Sequence, residues 1–334
     1  MARYLIAGGG IAATRAAETI RSRRTGDAVV LVAEEQQPFY MRPLLADLVA
    51  GRIGEKEIWR NFPAAAESKG IEVLAGHAAA GINRDDGKIA LDDGREIAYD
   101  LLLVATGVKP TLPRIPGVNL QGVTTFSTYA EAARLIRWAA EAQTAVVVGR
   151  GLQGVELTRA LRLRGLSVTM IVPDESPWFP ELFQVKGELI ERALEQHGVT
   201  LIPLDQPAEL VGDGQRVTGV STRGGRELPA DIVGFALDQR ASIAFLVGSG
   251  IALADGVVVN ERFQSTDPNV FAAGDVAQIE RDGERRPIGY GWMRAVGQGE
   301  AAALSMLGES VEAGVGDESE AQALYGMSLL SRWD

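Results

Sequence analysis

The chain of 334 residues contains no cysteine. That absence excludes disulfides, thiolate metal sites, protein-ligated iron–sulfur clusters and every cysteine-based nucleophilic or redox mechanism. Two histidines, His77 and His197, are too few for a histidine-rich metal centre, and no metal is expected. No apolar run approaches the roughly 18 residues that span a bilayer. Met1-Ala2-Arg3 before Tyr4-Leu5-Ile6-Ala7 superficially mimics a secretory leader, but Gly8-Gly9-Gly10 breaks the run after four residues. The expectation is a cytoplasmic protein that starts directly with a buried strand. Positive charge is also in deficit: Lys+Arg 33 against Asp+Glu 44 gives a formal −11, which argues against nucleic acid as a partner. What remains is an acidic, glycine-rich globular chain, long enough for about two domains, whose hard chemistry must come from a bound cofactor.

The sequence holds a repeated grammar. Arg3–Ala7 reads as a short apolar strand, followed by Gly8-Gly9-Gly10-Ile11-Ala12-Ala13 and a helical stretch to about Arg23. A turn at Thr25-Gly26-Asp27 leads to a second strand, Ala28–Val32, ending at Glu34-Glu35. The same order returns 141 positions later (149 − 8). There, strand Ala145–Val148 precedes Gly149-Arg150-Gly151-Leu152-Gln153-Gly154, helix Leu152–Arg164 and strand Ser167–Val172. Each half then shows short strands broken by turn signals and a closing apolar strand, Asp100–Ala105 in the first and Asp231–Ala236 in the second. The pattern predicts an α/β fold with two Rossmann-like, doubly wound nucleotide-binding domains, three-layer sheets and antiparallel meanders. Lys109–Gly117, punctuated by proline, reads as an inter-domain crossover, and the acidic Glu309–Glu320 as a linker or mobile segment.

The residue types in the first glycine turn suit a dinucleotide. Gly8 permits the tight turn, Gly10 lets backbone approach a pyrophosphate, and Ala13 is small enough for helix–strand packing. The free N–H groups and positive dipole end of the following helix favour phosphate. Glu34, 21 positions after Ala13 (34 − 13), stands where a carboxylate binds ribose hydroxyls. The plainer reading of Glu34 is a solvated acid at a strand end.

A third element, Ser265–Asp275, is a turn, a short strand and an aspartate after a glycine. With Gly8–Glu34 and Ala105-Thr106-Gly107 it resembles the FAD-binding signature of the pyridine-nucleotide-disulfide oxidoreductase superfamily. The resemblance implies that Gly274 and Asp275 meet the ribityl and pyrophosphate region of FAD. It also implies that Trp292–Ala302, Gln298 included, is the last helix of the FAD domain, with its N-terminus toward the flavin N1–C2=O edge. Tyr40-Met41-Arg42-Pro43 is similar to the cysteine-free branch: NADH:rubredoxin oxidoreductases, ferredoxin reductases and the flavin part of NADH-dependent nitrite reductases. That likeness makes Arg42 an FAD phosphate or adenine contact, against the plainer reading of an exposed loop arginine. The resemblance covers roughly residues 3–307.

The resemblance implies an FAD-binding domain split over 1–112 and 237–308, with an NAD(H)-binding-like domain, 113–236, inserted into it. The tail, 309–334, is similar at Ala323–Leu330 to the start of the family's C-terminal interface domain, and its stopping there points to a docking partner. The implied function is an FAD-dependent oxidoreductase carrying electrons between NADH, its co-substrate, and a rubredoxin- or ferredoxin-like protein or other acceptor. Two alternatives stand beside it: a flavin-carrying subunit of a larger electron-transfer complex that does not use NADH directly, and a non-enzymatic FAD scaffold. Oligomeric state is left open.

Departures from the family gather in the second half. Gly149, Gly151 and Gly154 are the candidates for NADH, yet Val172 stands where an acid should meet the ribose, with Asp174 and Glu175 as substitutes. No Arg or Lys occurs from Val172 through Val185, which disfavours NADPH. Leu237-Asp238-Gln239-Arg240 replaces the family's Gly-x-x-Pro-Asn turn. Asp47 replaces a lysine that pairs, in ferredoxin-reductase relatives, with the glutamate corresponding to Glu156 near flavin N5, so two acids are expected to face each other. Glu156 is the catalytic candidate, gating nicotinamide approach, or else an acid satisfied by its helix start. Trp178-Phe179 reads as a helix lead-in or as an adenine stacker. Arg159, Arg162 and Arg164 read as a solvated face, His197 as the residue before a Gly198 helix cap, and His77 as a surface residue without a partner.

Overall fold

A computed structural model describes residues 1–59, 66, 69–173, 187–281, 284–287, 291–310 and Trp333. The first half contains β1 (Arg3–Ala7), α1 (Ile11–Arg23), β2 (Ala28–Ala33), α2 (Leu45–Ala50), β3 (Ile71–Ala75), β4 (Ala79–Asn83), β5 (Lys88–Leu91), β6 (Glu96–Ala98) and β7 (Leu101–Val104). After β8 (Val108–Pro110) come β9 (Val123–Thr125), α3 (Tyr129–Ala139), β10 (Thr144–Val148), α4 (Leu152–Leu163), β11 (Ser167–Val172), α5 (Gly187–Gln196) and β12 (Thr200–Pro203). The remaining elements are β13 (Pro207–Gly212), β14 (Val217–Thr222), β15 (Glu227–Pro229), β16 (Ile232–Phe235), β17 (Gln239–Ala241), β18 (Val257–Val259), β19 (Val270–Ala272), β20 (Ala277–Arg281), β21 (Glu284–Pro287) and α6 (Trp292–Met306).

These elements form two compact units. The first holds 1–40, 59–109 and the chain from Arg240 to residue 310. Its parallel sheet runs β19-β7-β1-β2-β3. Leu5–Ala7 and Leu102–Val104 are buried on both faces, which is why these strands are unbroken apolar runs rather than alternating ones. Ala12, Ala13, Ala16 and Ala17 give α1 a buried face of small side chains. At Gly299 of α6, a Cβ would lie 2.2 Å from the Ala12 carbonyl oxygen, so glycine alone lets the two helices pack this closely. An antiparallel meander, β4-β5-β6, completes the α/β design.

The second unit holds 41–58, 110–239 and Trp333. Its parallel sheet runs β12-β11-β10-β16-β9, and its meander is β13-β14-β15. Both sheets therefore share the order third strand, second strand, first strand, closing strand. The expected duplication is present as paired parallel sheets with paired meanders. Helix α3 opens on a capping box in which Thr128 Oγ1 accepts from the Glu131 amide. Helix α5 ends before His197, and Gly198 follows with φ +75°. Residues 311–332, with the expected interface-domain likeness, lie outside the described residues. Among the described residues no helix is long and apolar enough to cross a membrane.

Candidate functional site

In the first unit the glycine turn is built by close approach. A Cβ on Gly8, whose φ is +139°, would lie 2.1 Å from the carbonyl oxygen of Ala105 at the end of the closing strand. Only glycine lets β1 turn so sharply beside β7. Gly10 has a different reason for its identity. It is the N-cap of α1 with extended φ −81°, no side chain caps the helix, and its first turn carries no acid. A Cβ on Gly10 would meet nothing within 4 Å, so the backbone there borders open space. Uncapped helix donors beside that space form a cradle suited to an anion.

Further predicted residues gather around the turn. Ala13 is buried within α1. Gln298 is fully buried on α6, and its Oε1 accepts from the Gly274 amide at 2.7 Å. The Gly274–Asp275 turn is thereby fixed to the helix, and Gly274 itself packs against Ala12. Thr106 Oγ1 donates to the Ser242 carbonyl at 2.8 Å, and the Ser242 amide returns a bond to Gly107 at 2.9 Å. Glu34, just past β2, accepts from Lys109 Nζ at 2.5 Å, and both side chains are more than half exposed. Such a pair contributes little stability, so this carboxylate can exchange its partner for a hydroxyl at small cost. Arg42 lies in the other unit, on a 3-10 turn, where its Nη1 donates to the Ser127 carbonyl at 2.5 Å.

The second unit repeats the turn closely. Gly149 has φ +125°, and a Cβ there would lie 2.0 Å from the Ala236 carbonyl oxygen. Gly151 caps α4 without a side-chain bond and borders open space, as Gly10 does. Gly154 is buried, and a Cβ would crowd the Gly149 carbonyl at 2.6 Å. Gln239 of β17 donates its side-chain amide to Gln153 at 2.7 Å. Val172 is buried at the end of β11 and supplies no polar group. Asp174, Glu175, Trp178 and Phe179 lie outside the described residues.

Several expectations need correction. Asp47 has a cation as its partner: its Oδ1 accepts from Arg159 Nη2 at 2.7 Å, and the arginine side chain is only 2% exposed. Arg159 is therefore core, not solvated face. Arg162 is half-buried and donates to the carbonyls of His197 and Leu166, while Arg164 is exposed as expected and donates to that of Val49. Glu156 is half-buried on the same helix. His77 is not partnerless either, since Nδ1 lies 3.4 Å from Asp93 and 3.6 Å from Asp92, while Asp93 also accepts from Arg95 at 2.6 Å. His197 stacks on Trp333, with centroids 4.6 Å apart and planes 4° from parallel.

One buried acid escaped the sequence reading. Glu131 accepts from Thr125 Oγ1, from the Ser127 and Thr128 amides at 2.7 and 2.8 Å, and from both hydroxyls that follow at 3.1 and 3.0 Å. Burial works to raise its pKa, yet these donors together hold the carboxyl below its ordinary value. The Thr128-x-x-Glu131 spacing is a capping-box signature and was a legible signal.

Comparison with known proteins places these features in a family. A model described as pyridine nucleotide-disulphide oxidoreductase matches residues 2–299. The biphenyl dioxygenase system ferredoxin–NAD(+) reductase component of Paraburkholderia xenovorans (strain LB400) is 30% identical over 311 residues, covering 92% of this chain and 75% of that protein. The assimilatory nitrate reductase electron transfer subunit of Bacillus subtilis (strain 168) is 29% identical over 277 residues, 83% of this chain but 36% of that protein. The chain thus spans about a third of the length of its nitrate- and nitrite-reductase relatives. Among solved structures, the ferredoxin reductase for the CYP199A2 system from Rhodopseudomonas palustris superposes with a TM-score of 0.86. It is 24% identical and covers 93% of this chain and 77% of that one, a likeness of fold alone.

Proposed function

The chain belongs to the pyridine nucleotide-disulphide oxidoreductase family, and from that premise we propose that it oxidises NADH and passes the electrons to a protein acceptor, with FAD as its redox group. The observation that carries the reading is the duplicated cradle: two glycine turns of matching geometry, each ending in an uncapped helix beside open space. FAD, when bound, supplies the conversion between two-electron and one-electron chemistry that no side chain of this cysteine-free chain provides. The first unit would hold it. The α1 amides at Gly10 would take its pyrophosphate, and Glu34 would leave Lys109 to bind ribose hydroxyls. Gln298 would keep the Gly274–Asp275 turn in register with α6. In the second unit, Gly149, Gly151 and Gly154 would hold the NADH pyrophosphate. Glu156 is the acid assigned to nicotinamide positioning.

Relatives named as a ferredoxin–NAD(+) reductase component and as an electron transfer subunit support a protein acceptor. The test is anaerobic mixing of the FAD-loaded protein with NADH. Fast bleaching of oxidised-flavin absorption is expected, and a colourless protein unable to take up FAD refutes the core of the reading. A second reading has a specific observation behind it. Among the described residues, β11 ends on Val172 and Pro173 with no acid, which suits a flavin-carrying subunit that receives electrons from another component. Slow bleaching by NADH with fast reduction by dithionite would favour it.

A further inference from the structure

Two non-glycine residues among those described adopt left-handed backbone, Phe263 and Leu204. Phe263 is buried. Leu204, with φ +56°, has a side chain 60% exposed, so its strain is matched by no burial. The chain is pinned on both sides of it. The Leu204 amide donates to the Val172 carbonyl at 2.8 Å, which continues the pairing of β12 with β11. The next residue, Asp205, is buried and accepts from the Gln206 amide at 2.8 Å, Thr222 Oγ1 at 2.8 Å and the Gly224 amide at 2.9 Å. Asp205 so held fixes the turn, and the turn lifts an apolar side chain out at the carboxyl end of β12.

That position has a meaning within the sheet. In open α/β sheets, ligands bind outside the carboxyl ends of the strands. Along this edge the second unit presents the Gly149 turn at the end of β10, Val172 at the end of β11 and Leu204 just past β12. Strands are spaced about 4.8 Å apart, so Leu204 stands roughly 10 Å from the phosphate cradle, about the distance from a pyrophosphate to the base it carries. Among the described residues, β11 ends apolar, on Val172 and Pro173, with no carboxylate for the ribose. We infer that Leu204 is the adenine wall of the second unit's dinucleotide site, which recognises the base of NADH by apolar contact rather than the ribose by charge. This rests on the NADH reading above.

The test compares Leu204→Gly and Leu204→Asn, both tolerant of left-handed backbone, in the FAD-loaded protein, with melting temperature as the control for folding. The probes are ADP-ribose, which carries the adenine, and reduced nicotinamide mononucleotide, which lacks it. Loss of a leucine-sized apolar contact is expected to weaken ADP-ribose by about fivefold in both variants and to lower its preference over the mononucleotide accordingly. A purely structural role would move both probes together, and that result overturns the inference. So does an ADP-ribose affinity within about twofold of the parent's in both variants. If the parent takes up FAD but binds neither probe, the NADH reading falls and the adenine wall with it. Parent binding with unaltered variants sinks the wall alone.

Discussion

Gly8 and Gly10 stand two residues apart in one turn, yet substitution by alanine should fail at different levels. At Gly8 a methyl would be driven to 2.1 Å from the Ala105 carbonyl oxygen, in a backbone conformation that L side chains rarely adopt. Backbone lines the clash, so no side chain can rotate away. The left-handed strain alone costs about 1–3 kcal/mol, and displacing β7 adds to it, so Gly8→Ala should destabilise the apoprotein by about 4 kcal/mol or more. At Gly10 the backbone is ordinary and a methyl meets nothing within 4 Å. Alanine is a poorer N-cap than glycine, which costs about 1 kcal/mol. The methyl would, however, fill the space where the pyrophosphate is proposed to rest. Each charge-assisted bond lost there is worth about 1.5–3 kcal/mol, or roughly tenfold to a hundredfold in affinity. Urea unfolding of the apoproteins and flavin uptake followed by absorbance separate the two effects. A Gly10→Ala protein that takes up FAD like the parent would refute the assignment of that open face to the pyrophosphate. A Gly8→Ala protein of parental stability would refute the close-approach argument.

Three other perturbations follow from buried polar groups. Asp47→Ala removes a carboxylate from the nearly inaccessible Arg159; a loss of about 2–3 kcal/mol in urea unfolding is expected, and a double variant with Arg159→Met should lose less than the sum of the two single changes, which checks that the loss comes from this pair. Glu131→Gln exchanges a lone acceptor for a group that also donates toward Thr125, Ser127 and Thr128, costing about 2–3 kcal/mol near neutral pH. The folded pKa of Glu131 is lowered, so its contribution is full above the unfolded value of about 4.3 and is lost as pH falls through the folded value. The stability gap between parent and variant should therefore hold from pH 7 to 5 and close below pH 4, and a gap that widens on acidification would contradict the sign. Gln298→Leu leaves the Gly274 amide without its buried acceptor, and about 1–3 kcal/mol of apoprotein stability should go with weaker FAD uptake measured by dialysis.

Local grammar made most of the framework legible. Arg3–Ala7 and Ser167–Val172 coincide with their strands because central parallel strands need uninterrupted apolar runs, and the helices begin where the glycines end. What escaped was decided by partners distant in sequence. Arg159 meets Asp47 across 112 positions and Arg164 meets Val49 across 115. On a helix otherwise patterned for one buried face, arginines look solvated until such a partner appears. Leu204 left no trace at all, since left-handed backbone is anticipated at glycine or asparagine and leucine announces neither.

The two cradles also show which part of a dinucleotide motif is mechanical and which is free. Ala105 and Ala236 would stand 2.1 and 2.0 Å from a Cβ on the first glycine of each turn. That match comes from how a strand, a tight turn and a closing strand meet, whatever ligand is taken. At the end of the second strand the registers make buried Ala33 and Val172 equivalent, and one residue further the units part: exposed, loosely paired Glu34 in the first, Pro173 in the second. A carboxylate on ribose is worth about 1.5–3 kcal/mol, so a cradle without one holds its nucleotide roughly tenfold to a hundredfold more weakly. Under the proposed function, the first unit holds a redox group that must stay, and the second a co-substrate that must leave at every turnover. A shared phosphate cradle with the acid kept on one side only fits that division of labour, whereas two equally tight sites would trap the spent nucleotide.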